Sequence, residues 1–391
     1  MINSTKTGPS PAMVMLLAFA CGIVVANIYY AQPLVGLIGP AVGLGARSAS
    51  FIVSLTQLGY AAGLLLLVPL GDLVENRRLV VLTIFASIPF LLLAGFAHGA
   101  TVMLAAAVLI GLTSVAVQML VPLAAHLTPD HLRGRVVGNV MSGLLFGILL
   151  ARPVASMIAD ISSWRAVFFA SAAVMFATAL LLRFTLPHRQ PEVRHRYHEL
   201  LASLFVLPVT LPVLRQRAAY QAACFSGFSL FWTGVPLLLA TRFQYTQRGI
   251  AVFALVGAAG ALAAPVAGRL ADKGFSRIGT MAALGSVALA FGMALAGGLS
   301  HSVVLLALAG VMLDGGVQSN LVFGQRAIYT LGAHMRSRLN GVFMAIFFTG
   351  GAAGSALTSP VLAHFGWGGI CALGAALPLL ALAYFWAASR A

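Results

Sequence analysis

Twelve apolar runs follow one another along the chain, each about the 20 residues that an α-helix needs to cross the hydrocarbon core of a bilayer. They fall roughly at 13–38, 49–70, 79–98, 102–126, 136–158, 166–186, 218–240, 250–270, 278–298, 302–325, 339–363 and 367–388. Only 8% of the 391 residues are charged, against about 25% in a soluble domain, so the chain cannot cover a water-facing surface. A collagen and a disordered tail are excluded by the 60% hydrophobic composition, and a disulfide scaffold by the three cysteines, Cys21, Cys224 and Cys371, which all lie inside apolar runs. The expected fold class is an all-α membrane protein of twelve transmembrane helices. The first run is too long for the apolar core of a signal peptide and is expected to remain in the mature chain.

A formal net charge of +15 invites a nucleic-acid reading until the 23 Lys and Arg are placed. With the N-terminus assigned to the cytoplasm, eighteen of them, from Lys6 to Arg390, fall in cytoplasmic segments. Four (Arg47, Arg165, Arg242 and Arg248) fall outside, and Arg152 lies within a span. Membrane proteins concentrate basic residues in cytoplasmic loops, so both termini are expected there. The high pI reflects topology, and no nucleic-acid partner is implied.

The chain also repeats itself. Cys21 and Cys224 are 203 positions apart, as are Pro33 and Pro236, and Trp164 and Trp367. Arg133-Gly-Arg135 before the fifth span recurs at the same offset as Arg336-Ser-Arg338 before the eleventh. The pattern predicts a duplicated six-helix unit: an N-terminal bundle over 1–187, a basic cytoplasmic linker over 188–217 and a C-terminal bundle over 218–391. Two parallel six-span repeats with a site between them near the midplane form a recognised transporter architecture. The apolar middle of the linker, Leu200 to Leu214, is read either as a segment lying on the membrane surface or as a plain tether.

Two motifs carry a family resemblance. Gly268-Arg-Leu270-Ala-Asp272-Lys273-Gly274, followed by Arg277, resembles the Gly-x-Leu-Ala-Asp-Arg loop of the major facilitator superfamily of secondary transporters. Asn27-Ile-Tyr29-Tyr30-Ala-Gln32-Pro33 resembles the bacterial sugar- and drug-efflux permease branch. The resemblance implies alternating access, a bacterial inner-membrane location, drug:proton antiport and a monomer. It also implies a cytoplasmic latch at Gly268, Asp272 and Arg277, with a divergent first-half copy at Asp72 and Arg77. No Arg occurs in the fourth span, where many proton-coupled exporters of the family carry one, and Arg152-Pro153 stands where the fifth span has Gly-Pro.

Of eight acidic residues, Asp314 alone lies deep in a span, roughly 18 Å along the tenth. A carboxylate there costs about 2.5–3.5 kcal/mol on insertion scales and commonly marks a proton or substrate path, the alternative being a structural polar contact. Gln318 and Gln325 share its helical face. Arg152, the one basic residue within a span, lies roughly 24 Å along the fifth. It can serve as an anion-binding or proton-modulating group, donate to carbonyls between helices, or snorkel. The two depths differ by about 9 Å, so no direct pair is assumed. Asn27, Tyr30 and Gln32 in the first span, Gln57 in the second, Gln118 in the fourth and Trp232 in the seventh suit a cavity for amphipathic organic molecules, or else ordinary packing.

No Gly-Lys-Ser/Thr phosphate loop occurs, and neither a metal cluster nor a Ser/His/Asp arrangement can be placed, so no cofactor and no enzyme activity are implied. The expected function is proton-coupled export of small organic molecules, with import or facilitation of a sugar, organic acid or other metabolite as the alternative. The partners are the substrate, protons and the lipid bilayer.

Overall fold

The computed structural model describes residues 8–191, 197–260, 262–332 and 335–388. Lys6, Glu192, Arg194, Arg196 and Arg390 lie outside them. Every regular element among the described residues is helical: α1 (Pro11–Ala26), α2 (Val35–Ala41), α3 (Phe51–Leu66), α4 (Asn76–Gly95), α5 (Ala100–Thr113), α6 (Val117–His126), α7 (Asp130–Ile161), α8 (Trp164–Thr185), α9 (Tyr197–Thr210), α10 (Pro212–Thr241), α11 (Gln247–Gly260), α12 (Ala263–Asp272), α13 (Ser276–Leu299), α14 (Val303–Tyr329) and α15 (Arg336–Ala388), with short 3-10 turns between some of them. Among the described residues, nine helical stretches are long and apolar enough to cross a membrane.

The expected spans map onto these helices with three corrections. The first is not continuous. Pro33 has no N–H and its ring crowds the preceding turn, so the backbone after α1 tightens to i→i+3 bonds such as Ile28 N to Val25 O (3.2 Å) and Gln32 N to Tyr29 O (3.2 Å) before α2 begins. The fourth span is interrupted at Ser114–Ala116, where Thr113 and Ser114 turn their hydroxyls back onto the carbonyls of Leu109 and Ile110 (2.8 and 2.6 Å). The eighth is split into α11 and α12. Spans eleven and twelve together form α15, separated at Gly366, whose φ of 60° and ψ of −160° are open to glycine and strained for other residues.

Helices up to α8 pack mainly on one another, through α1 on α7, α3 on α5 and α4 on α8; those from α10 onward do the same, through α10 on α15 and α13 on α14. Small residues permit the closest approaches, as expected where lipid supplies no hydrophobic drive between helices. A Cβ on Gly147 would strike the Gly22 carbonyl, and one on Gly350 would meet the backbone of Ala222 about as closely. Gly147 and Gly350 are 203 positions apart, so the sequence repeat extends to the contact between spans one and five and that between seven and eleven.

Two seams join the sets. In one, α3 runs antiparallel to the first part of α15. Ser50 and Ser359 each donate a backbone N–H to the other's hydroxyl at 3.1 Å, Gln57 meets Ser229 and Ser355, and the Tyr60 and Phe348 rings lie 4.4 Å apart. In the other, α7 packs on α11, and the Arg248 amide donates to Asp160 at 3.3 Å. The linker helix α9 does more than tether. Leu204 and Leu207 are buried against Leu214, Ile328, Leu339 and Phe343, Tyr197 Oη donates to the Leu66 carbonyl at 2.7 Å, and Phe205, Val206 and Val209 remain exposed.

Candidate functional site

The site forms where the tightened segment after α1 meets α7, α10 and α14. Tyr29 and Tyr30 are buried there, in the turns between α1 and the 3-10 segment Gln32–Leu34. Trp232, about two-thirds of the way along α10, is 1% exposed, and its indole Nε1 donates to Asp314 Oδ1 at 2.7 Å. Arg152 from α7 lays its guanidinium 4.1 Å from the Trp232 ring centre, 5.1 Å from Phe228 and 5.9 Å from Tyr29. Arg152 is 3% and Asp314 4% exposed. The two ions are close enough to interact electrostatically, yet no N–O approach within 4 Å pairs them among the described residues.

Glycine makes this packing possible. A Cβ on Gly257 of α11 would come within 2.6 Å of the Trp232 ring and 2.9 Å of Asp314 Oδ2, and one on Gly260 within 2.5 Å of Asp314 Cβ. Trp232 is therefore clamped between α11 and Arg152, with its N–H fixed on the carboxylate.

The other residues singled out by sequence divide between this site and its surroundings. Asn27 accepts from Ser171 at 2.6 Å through Oδ1, and its Nδ2 has no partner. Gln32 is fully buried with neither amide atom bonded. Gln57 lies in the α3–α15 seam, and Gln118 donates to Tyr60 Oη at 3.2 Å. Gln318 is half-buried, while Gln325 bonds to Asn340 at 3.1 Å. Asn320, off the Asp314 stripe, is buried and donates to Gln221 at 2.7 Å. The stripe is thus divided between two neighbours.

The latch residues also differ from expectation. Gly268 lies inside α12 with open space around its Cβ position, and the turn is made by Gly274 at φ +86°. Asp272 ends α12 and pairs with Arg326 at the end of α14, while Arg277 is exposed on α13. In the first-half copy Asp72 is exposed, and Arg77 donates to the Leu186 carbonyl at 3.3 Å. The working carboxylate there is Glu75, unmarked by the motif. It caps α4 by accepting from the amides of Arg77 (3.0 Å) and Arg78 (2.8 Å), and from that of Arg189 (3.3 Å). Partial burial alone would raise the Glu75 carboxyl, but the amides of Arg78, Arg189 and Arg77, with His188 nearby, outweigh it and hold it below the ordinary range.

An all-helical membrane fold with two seams and a buried ion constellation suits a membrane transporter, and comparison with known proteins shows the family. The Major Facilitator Superfamily matches residues 14–327, and the chain belongs to that family. It is 42% identical over 305 residues to the uncharacterized transporter YgaY of Escherichia coli O157:H7, covering 78% of this chain and 77% of that one. A probable transporter of Streptomyces coelicolor is 33% identical over 275 residues, 68% of this chain and 63% of the other. The fold resembles a mutant of the nucleoside transporter NupG, with a TM-score of 0.77 at 12% identity over 96% and 99% of the chains. It also resembles a D-xylose-proton symporter, with a TM-score of 0.72 at 15% identity over 96% and 97%.

Proposed function

We propose that the protein is a proton-coupled, alternating-access transporter of small organic molecules in the bacterial inner membrane. Residues 1–187 and 218–391 move as two six-span units about the 188–217 linker, in a monomer whose termini and linker face the cytoplasm. The 18-to-4 distribution of basic residues supports that orientation. On it, the Ser50–Ser359 clasp and the Asp160–Arg248 contact lie toward the outside, where they tie the two units together. The Asp272–Arg326 pair and the Glu75 cap brace the cytoplasmic ends.

One observation carries the coupling. Asp314 receives the Trp232 N–H in the same cluster that takes Arg152 from the other six spans. Protonation of that carboxyl changes the charge balance at the contact the two units share, and a change there biases one conformation against another. Export in exchange for protons is what the efflux resemblance suggests. Import of an organic acid together with a proton is favoured by a different observation, the unpartnered N–H groups of buried Arg152.

Proteoliposomes with an imposed pH gradient test the coupling. A panel of small metabolites is expected to contain one that accumulates against its gradient only while the pH difference lasts and that leaks away when a protonophore is added. Transport insensitive to the gradient would contradict proton coupling, and the polarity that drives accumulation separates export from import.

A further inference from the structure

We infer that the cluster around Arg152 binds an organic anion, its negative group taken by the guanidinium and its apolar body lying against Tyr29, Phe228 and Trp232. The Arg152 guanidinium carbon lies 4.1 Å from the Trp232 ring centre, a contact that leaves the N–H donors unsatisfied. Arg152 Nε and Nη1 are buried and have no hydrogen-bond partner. Asp314, the carboxylate beside them, already accepts from Trp232 Nε1. A buried cation with idle donors is costly unless something completes it, and an anion does so directly.

The surrounding polar groups have the same bias. Among the described residues, eight buried side-chain atoms lack a partner, and seven of them lie in spans one, five and seven: Asn27 Nδ2, both amide atoms of Gln32, Arg152 Nε and Nη1, Ser156 Oγ and Thr233 Oγ1. Ser156 is one helical turn beyond Arg152, and Gln32 lies three positions beyond Tyr29. Of the seven atoms, only Gln32 Oε1 is unable to donate. Idle donors in the spans that carry the cluster suit an anion, and a cationic amphiphile would instead meet the Arg152 charge. Gln32 also lines a cavity of about 580 Å³ with Pro33, Pro236, Gln247 and Ser359, which lies beside the cluster and is not lined by Arg152, Trp232 or Asp314.

The ionisable groups facing Arg152 are Asp314 from α14 and Tyr29 from the first span. With Asp314 ionised the cluster is neutral overall; with Asp314 protonated it carries the full charge of Arg152. An anion therefore binds more tightly when a proton binds with it. This linkage rests on the coupling role proposed for Asp314, whereas recognition of the anion rests on Arg152 alone.

The test uses the full-length protein in lipid nanodiscs and three aromatic acids, benzoate, phenylacetate and indole-3-acetate, each paired with its carboxamide, plus benzylamine as a cation. Binding is read from tryptophan fluorescence and thermal shift between about pH 6 and about pH 8, and proton uptake from a dye in weak buffer. At least one acid is expected to bind about tenfold or more tightly than its amide, in line with charge-assisted bonding. Arg152→Gln is expected to erase that preference, and a monodisperse elution with unchanged helical circular dichroism shows that the variant is folded. If no acid exceeds its amide, if benzylamine matches benzoate, or if Arg152→Gln keeps the preference, the anion site is overturned. Anion binding without proton uptake would leave the site standing and defeat the coupling role of Asp314 instead. Asp314→Asn should keep acid preference and lose its pH dependence.

Discussion

Trp232 donates its indole N–H to Asp314 across 2.7 Å while the face of the same ring carries Arg152 at 4.1 Å, so one side chain from α10 connects a carboxylate on α14 with a cation on α7. Two buried charges are held in one cluster without an ion pair. Each stays available for a second partner, a proton for one and a solute for the other.

Trp232→Phe keeps a ring for Arg152 and removes the donor to Asp314. A hydrogen bond to a charged group contributes about 1.5–3 kcal/mol, so transport should fall by roughly 10- to 100-fold in protein that inserts normally. Solute uptake, normalised to membrane content, checks this; unchanged uptake would make the indole N–H dispensable.

The Ser50–Ser359 clasp should open during each transport cycle. In a background with Cys21, Cys224 and Cys371 replaced, Ser50→Cys combined with Ser359→Cys is expected to lose most transport on oxidation and regain it on reduction. Full activity after cross-linking would show that the seam stays shut throughout the cycle.

Much of the fold can be read from the sequence because lipid demands apolar runs of fixed length, and the runs found by hydropathy fall mostly on helical backbone, although the first, fourth and eighth are broken. The interruptions are less legible. Pro33 and Pro236 occupy equivalent repeat positions, yet the helix tightens to 3-10 geometry at Pro33 while α10 runs on past Pro236. Counting the rise along single helices separates Arg152 and Asp314 in depth, and only packing reveals Trp232 spanning the gap. Glu75 escapes motif reading because Glu is not among the favoured capping residues. Gly268 matches the family loop but lies within a helix, with Gly274 making the turn.

Glu75 gives a pH-dependent term in stability. Its carboxyl titrates below the ordinary range in the folded protein, so its stabilisation is present above that range and disappears as pH falls through the folded value. Glu75→Gln should therefore lower the melting temperature near neutrality and converge with the unaltered protein in acid. A constant difference across that range would mean that the lost cap geometry, and not the charge, sets the effect.

Gly147→Val should disrupt the contact of α7 with α1, since even a Cβ there strikes the Gly22 carbonyl. Overpacking of this kind costs about 1–3 kcal/mol, read as a lower melting temperature and reduced membrane yield. Gly134→Ala, on the same helix with nothing within 4 Å of the Cβ position, is the matched control and should change neither.

The central claim is that Asp314 couples proton movement to solute movement, and Asp314→Asn tests it most directly, because the amide keeps the shape of the acid and cannot titrate. In proteoliposomes with an imposed pH gradient, the Asp314→Asn protein should fail to accumulate solute above equilibrium while still exchanging labelled for unlabelled solute. Accumulation against a gradient by Asp314→Asn, at the rate and to the level of the unaltered protein, would contradict it.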